Sequence, residues 1–549
     1  LYATTNTLLT EGSPNGLYGI SRFVDKQSYG DFLVNINKDF DSQITFNFNG
    51  GVSFSDLRSD MFKNRGPIAY GLEIADGVKE PVGIPNVFNV FQLSDSQTLR
   101  EQAGWREKTN AMFGSAEIGY KNAYYLTLTG RNDWPSQLAG PKSVNKSFFY
   151  PSAGLSVVLS EVLSMPKEIS YMKLRGSWAS VGLPFARFLA NPTYKWDASN
   201  KVWVTETNYP MYNLKPERTD SWEVGFTTRF LKGFNLDLTY YYANTYNQTF
   251  NPQLSASSGY SDIYIQTGSV RNQGLEAALG YKNTWNKFSW NTNYTFSFNR
   301  NKIIDLGDNA VNPITGEAIS IDRLDVGGLG QAHFILKKNG GLGDLYSMSQ
   351  IVRDSNGNIY VDENGDIHAD KINNADDYIK LGSVFPKSNM AWRNDFSYGN
   401  FNLGFMLSAR FGGIVFSRTQ AAMDYYGVSQ STADARDNGG VIINDGDKIP
   451  ADVWYGVVAN GDAVAQYYTY SATNIRLQEA SIGYTVPRKW LGDVVDATVS
   501  VVGRNLLMIY SKAPFDPESV ASTGNYYQGI DYFMTPNTRN VGVSLRLKF

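Results

Sequence analysis

SWEVGFTTRFLKGFNLDLTYYYANTYN, residues 221–247, reads as two strands joined by a tight turn. In the first half Trp222, Val224, Phe226, Thr228 and Phe230 alternate with Glu223, Gly225, Thr227 and Arg229. In the second, Phe234, Leu236, Leu238, Tyr240 and Tyr242 alternate with Asn235, Asp237 and Thr239. A period of two gives each strand one apolar and one polar face. Each arm is longer than the five or six residues usual in soluble sheets. Tilted strands of about ten residues are what a barrel needs to cross a bilayer.

The same alternation recurs along the chain. The last eleven residues, RNVGVSLRLKF, set Val541, Val543, Leu545, Leu547 and Phe549 against Gly542, Ser544, Arg546 and Lys548. Fifteen such strands are expected, near 30–39, 43–54, 107–119, 123–131, 148–159, 170–181, 220–230, 233–246, 270–282, 286–303, 385–397, 400–414, 472–486, 496–510 and 539–549. Brief turns (KDFDSQ, YKNAY, FLKGF, KNTWNK, SYGNF) alternate with long polar loops near 55–106, 132–147, 182–219, 247–269, 304–384, 415–471 and 511–538. Long loops gathered at one end mark a transmembrane barrel, with short periplasmic turns and long external loops. The fold expected is all-β, a single antiparallel β-barrel domain over 1–549, with helix confined to short pieces of the external loops. Aromatic residues at strand ends, such as Tyr124, Phe149, Trp285 and Trp290, read as interfacial girdles. Parity adds an expectation: an odd strand set cannot close as a single-chain barrel, so an odd number of strands should precede Leu1.

Composition excludes several alternatives. The 549 residues include no cysteine and two histidines, and carry a formal net charge of −3. Disulfides, thiolate chemistry and cysteine-bound zinc are thereby excluded, and nothing in the charge points to nucleic acid. No run approaches a spanning helix. His333 and His368 both fall in one loop, so a serine nucleophile would have to recruit one of them. An enzyme is not expected.

Several stretches, in order from about residue 105, resemble one family. They are SYMKLRGSWASVG, LKPERTDSWEVGF, VRNQGLEAALGY, FPKSNMAWRNDFSYGNFNLGFMLSARFGG, NIRLQEASIGYTVP, GRNLLMIYSKAPFDPE and GIDYFMTPNTRNVGVSLRLKF. Together they resemble the SusC/RagA-type TonB-dependent transporters of Bacteroidetes outer membranes; the first hundred residues do so less distinctly. The resemblance implies a 22-stranded barrel around an N-terminal plug, of which this chain is the C-terminal part of about fifteen strands, the plug and about seven strands lying outside it. It further implies location in the outer membrane, in contact with its lipid, with TonB coupling through the N-terminal part. A SusD-like surface lipoprotein is implied over the mouth, in contact with loops 182–219, 304–384 and 415–471, within a dimer of transporter–lipoprotein pairs. Val541, Val543, Leu545, Leu547 and Phe549 look like the signal read by the barrel-assembly machinery. The implied activity is import of nutrient oligomers, oligosaccharides ahead of oligopeptides. A passive porin and a structural surface barrel are the more distant readings.

Two sets of loop residues are candidate sites. Tyr194, Trp196, Trp203, Trp454, Tyr455, Tyr526 and Tyr527 carry flat rings that suit sugar faces or peptide side chains, although such rings also bury against each other or a lid. In VDENGDIHADKINNADDYIK, Asp362, Asn364 and Asp366 alternate as calcium ligands do, with Asp376 or Asp377 as a later carboxylate. Against a structural calcium stand Ile367, where a calcium loop wants glycine, and plain Asn-Gly turn chemistry. Lumen-facing Asn235, Thr239, Asn291, Asn293, Thr295 and Ser297 suggest a neutral hydrogen-bonding wall. If the terminal strand is the assembly signal, Phe549→Ala should lower the yield of folded barrel severalfold, read as the fraction migrating compactly in unheated gels.

Overall fold

A computed structural model describes residues 17–40 and 43–549, apart from short stretches within 69–97, 141–142, 184–214, 251–264, 308–320, 462–463 and 523–526. Its main sheet has fifteen strands, each antiparallel to its neighbours in sequence. They are β1 (Leu17–Phe40), β2 (Ile44–Pro67), β3 (Leu99–Tyr120), β4 (Tyr124–Pro135), β5 (Phe148–Val158), β6 (Ile169–Leu183), β7 (Glu217–Phe230) and β8 (Phe234–Phe250). Then follow β9 (Ile265–Trp285), β10 (Phe288–Asp305), β11 (Ser388–Tyr398), β12 (Phe401–Phe411), β13 (Asn474–Val486), β14 (Asp496–Ser511) and β15 (Asn540–Lys548). All fifteen lie where alternation places them.

Register makes the two faces continuous around the wall. Trp178 pairs with Trp222 and Trp222 with Tyr242, while on the other face Arg175 pairs with Gly225 and Gly225 with Thr239. The first row continues as an apolar outer surface on which Trp222, Val224, Val541, Val543 and Leu545 are all exposed. Phe226, Leu236 and Leu238 occupy the same face, partly covered by their neighbours. Tight turns close the short end: in the three residues between Tyr120 and Tyr124, Lys121 and Asn122 both take positive φ and the Ala123 N–H donates to Tyr120 O at 3.1 Å, a turn matched to strand twist.

Three expectations are corrected. β1, β2 and β3 overrun their expected outer ends, so much of 55–106 is strand. There the apolar alternation stops while the hydrogen-bonded ladder does not: Asp56 pairs with Lys108 and Arg58 with Arg106. Helix is not confined to the external loops, since Leu159–Val162 and a 3-10 turn at Arg488–Leu491 lie between strands at the short end.

The third correction concerns the long loops, which fold together. Residues 323–383 form a four-stranded sheet (Arg323–Leu329, Ala332–Lys337, Asp344–Ser347, Ile379–Ser383). Residues 415–471 contribute three short helices, Arg418–Tyr425, Gln430–Asp437 and Ala451–Val458. Ser417 and Ser429 cap the first two, their side chains accepting from Gln420 N and Thr432 N. One core unites three loops: Phe334, Leu345, Ile367 and Val384 from the first, Phe416, Trp454, Val458 and Tyr468 from the second, and Ile530 from the third. A second cluster, Val270, Ile303, Leu306, Ile321 and Leu336, ties this cap to β9 and β10. Phe334 is fully buried, so Phe334→Ala should cost the cap about 3–5 kcal/mol. Limited proteolysis should then cut the cap severalfold faster while the wall keeps its compact migration in unheated gels.

Candidate functional site

The lumen wall is polar, and it is more highly charged than its neutral residues suggested. Asn235, Thr239, Asn291, Asn293, Thr295 and Ser297 do share the inner face, but ion pairs run among them. Arg175 of β6 reaches across β7 to β8, its two terminal nitrogens donating to Asp237 at 3.1 and 3.0 Å, and one also to Thr227 at 2.9 Å. It passes over Gly225, where a Cβ would lie 2.4 Å from the Arg175 Nε; any side chain at that position would displace the arginine. Arg393 donates to Asp395 (3.0 Å) and to Glu479 (3.4 Å), and Arg504 donates to the other Glu479 oxygen at 3.2 Å. Arg131 donates to Asp133 at 2.7 Å, and the Tyr150 hydroxyl also donates to Asp133. A bidentate fork such as Arg175–Asp237 fixes geometry as well as charge.

A concavity in the cap gathers hydroxyls and aromatic rings. Asp424, 5% exposed, is its polar centre. It accepts from Gln420 Nε2 (2.8 Å), the Ser431 hydroxyl (3.1 Å) and the Tyr468 hydroxyl (3.1 Å), which satisfies the buried carboxylate. Tyr455, Tyr470, Trp454 and Tyr467 add rings to the lining. Burial, reinforced by the Asp424 charge, pushes the Tyr468 hydroxyl well above its ordinary value and the Tyr470 hydroxyl up to about 12. Both remain neutral donors at any physiological pH. The cluster QYYTY at 466–470 was the sequence signal that would have found it; Asp424 gave none.

The expected aromatic contacts divide. Tyr194 and Tyr526 lie outside the described residues. Trp196 and Trp203 sit opposite each other on a hairpin, rings 5.4 Å apart and both exposed. Tyr455 lines the concavity. Tyr527 is 38% exposed, its ring 6.2 Å from Phe334 and its hydroxyl donating to Gly328 O at 3.4 Å. Trp454 is buried at 8% exposure, edge-on to Tyr467 at 5.2 Å; the apolar helix that carries it turns that ring into the core, where it also forms part of the concavity wall.

The calcium residues do not converge. Asp362 accepts from the N–H groups of Asn364 (2.8 Å) and Asp366 (2.9 Å) and faces His368 Nε2 at 2.9 Å, which is Asx-turn chemistry. The Asp366 N–H and the His368 ring hold the Asp362 carboxyl below its ordinary value. Asp377 accepts from Asn374 (3.1 Å), and Asp376 pairs with Arg323 (2.8 Å). Among the described residues no group of three or more acidic or histidine side chains is placed to hold a metal, and no step is derived through calcium.

A wall with an apolar outside, an ion-paired inside and folded external loops defines the wall of an outer-membrane β-barrel. The family model "TonB dependent receptor-like, beta-barrel" matches residues 2–506, and the chain belongs to that family. It is 27% identical over 472 residues to the TonB-dependent receptor P3 of Formosa agariphila, covering 80% of this chain and 45% of that protein. To the TonB-dependent receptor SusC of Bacteroides thetaiotaomicron it is 26% identical over 487 residues, covering 82% and 45%. The chain thus spans about half the length of the curated relatives it matches. Its fold resembles that of the RagAB peptide importer in the open-open state, with TM-score 0.73 and 15% identity over 97% of this chain and 55% of that one.

One cap hairpin carries a histidine–carboxylate contact. His333 Nδ1 lies 2.8 Å from Asp325. That contact raises the histidine above its ordinary value against the opposing effect of burial. Burial works to raise Asp325, but His333 and the Gly327 N–H hold it below the ordinary carboxylate value. The raised histidine stabilises at low pH and loses its contribution as pH climbs through its folded value; the lowered carboxyl loses its own as pH falls. Hairpin protection should therefore be greatest between about pH 4 and 6.5. Hydrogen-exchange protection at residues 323–337, taken relative to the intrinsic rate at each pH, should fall from pH 6 to 8, and His333→Gln should flatten that dependence.

Proposed function

We propose that this chain is the barrel of a TonB-dependent importer of nutrient oligomers, working beneath a SusD-like lipoprotein lid. Family membership supports TonB coupling, which acts through the N-terminal part. The relative named SusC and the structural likeness to RagAB support a lid. Cap residues from 304–384 and 415–471 supply the broad folded surface on which such a lid would rest, in a dimer of pairs.

The cargo is an oligosaccharide, and the concavity around Asp424 carries that reading. Tyrosine rings present apolar faces to the C–H side of a sugar ring, while neutral hydroxyls and Gln420 exchange hydrogen bonds with its edge. The exposed Trp196–Trp203 pair offers a further stacking surface. One observation favours an oligopeptide as second reading: the lumen ion pairs, especially Arg393, Asp395, Glu479 and Arg504, could exchange partners with charged termini and side chains. RagAB is itself described as a peptide importer.

In the full-length transporter, Tyr455→Ala with Tyr470→Ala should weaken oligosaccharide binding about tenfold, the loss of one or two stacked rings at roughly 1 kcal/mol each. Calorimetry and growth on the glycan as sole carbon source would show it. Unchanged glycan affinity together with peptide in the native complex would transfer the assignment to peptides. Extraction in mild detergent should bring the lipoprotein with the barrel.

A further inference from the structure

The outer face of the wall carries two groups of cations with opposite electrostatic settings. On β2 and β3 three outward cations have a carboxylate beside them: Arg106 donates to Asp56 at 2.6 Å, Lys108 lies 3.5 Å from Asp56, and Arg58 lies 2.9 Å from Asp60. On β9 and β10 the setting differs. Arg271 pairs directly with Lys302, and Gln273 with Arg300, so three cations share one outward patch two strands wide. Directly paired side chains lie about 5 Å apart at Cβ. The outward faces of β8, β9, β10 and β11 beside them carry Tyr242, Asn244, Gln273, Ser388 and Met390; among the described residues the outward carboxylate there is Asp305, which pairs with Ser269 one row further out and accepts from the Gly307 N–H at 3.3 Å. A second outward acid, Asp220, lies beyond β8 on β7 and is engaged by Tyr246, Ser180 and Arg218.

Height on the wall gives the patch its meaning. Trp178 and Trp222, rings 6.2 Å apart, belong to the same ladder row as Tyr242, Gln273 and Arg300. Below that row the outward residues are apolar: Val224, Tyr240, Leu275 and Phe298. Arg271 and Lys302 stand one row higher, about 5 Å nearer the outside along a tilted strand. The aromatic row marks the external interface of the apolar layer, so the cations stand at headgroup depth. Arg271 is also aimed: its guanidinium lies 5.1 Å from the Tyr242 ring centroid and its Nε donates to Asn244 at 3.3 Å. Those two contacts hold the guanidinium in place, and its planar fork is the geometry that suits a phosphate.

We infer that Arg271, Arg300 and Lys302 form a binding site for the phosphate of an anionic lipid in the outer leaflet. Its acyl chains would lie down the apolar strip beneath, along Leu275, Phe298 and Tyr240. Three like charges on one patch repel each other; a phosphate of opposite charge in their midst converts that repulsion into attraction. The ion pairs on β2 and β3 need no such counter-charge. This site is independent of the cargo and of the lid.

The test uses the full-length transporter extracted from its own outer membrane. Native mass spectrometry and phosphate analysis would compare the wild type with the triple variant Arg271→Gln, Arg300→Gln, Lys302→Gln. Each cation at an anionic surface is worth roughly a fivefold gain in affinity, so the triple variant should bind about 100-fold more weakly. Re-addition of phosphorylated lipid A in mixed micelles should restore one equivalent to the wild type alone; phosphatase-treated lipid A should restore neither protein. Arg58→Gln with Arg106→Gln should retain lipid as the wild type does. The lysine variant Arg271→Lys, Arg300→Lys should keep most binding, which separates lost charge from misfolding. Equal lipid on the wild type and the triple variant, or equal retention of dephosphorylated lipid, overturns the inference. So does inorganic phosphate displacing the lipid at millimolar concentration, which would make this a simple anion site.

Discussion

Everything here depends on the continuous backbone ladder. In hydrocarbon an unpaired N–H or C=O costs several kcal/mol, and no water is present to satisfy it. Fifteen strands in unbroken antiparallel order meet that demand between neighbours, and in doing so they set the side-chain arithmetic. A one-residue slip would send every apolar side chain inward. The register that joins Trp178, Trp222 and Tyr242 on one face therefore also joins Arg175, Gly225 and Asp237 on the other. Lipid and lumen are sorted by the same hydrogen bonds.

The lumen shows how little freedom that leaves. Arg175 and Asp237 belong to strands two apart, and their contact exists because Gly225 between them contributes no side chain. Arg393, Asp395, Glu479 and Arg504 repeat the pattern across four strands. These pairs are partly exposed and contribute little to stability; their effect is to give the lumen a patterned field in place of a neutral one.

Period-two alternation was legible because the membrane enforces it residue by residue, so β7, β8 and β15 could be located from short stretches. Strand ends above the apolar layer were not, because in β1–β3 the selecting solvent changes while the ladder continues. The cap was hidden for another reason. Its strands are mostly three to seven residues and its helices eight, too short for a strong periodic signal, and its core draws Phe334, Phe416 and Ile530 from loops nearly two hundred residues apart. Trp454 and Tyr455, adjacent in sequence, illustrate the limit: both border the concavity, yet one is buried in that core while the other is only partly covered by it. Pairings such as Arg175–Asp237 are likewise invisible within any one strand, since only the register between strands creates them.

The shared core of the cap changes the thermodynamics of meeting a partner. Three separate loops would each have to be ordered on contact, at about 1–2 kcal/mol per residue fixed. Knitted through Phe416 and Ile530 and anchored to the wall by Val270 and Ile303, they have met that cost during folding. An arriving molecule finds a rim already in shape, so encounter is close to rigid-body docking and differences in affinity appear chiefly as residence time. The same knitting transmits strain: a push on one loop is carried to the β9–β10 hairpin, so the mouth and the wall respond as one mechanical element.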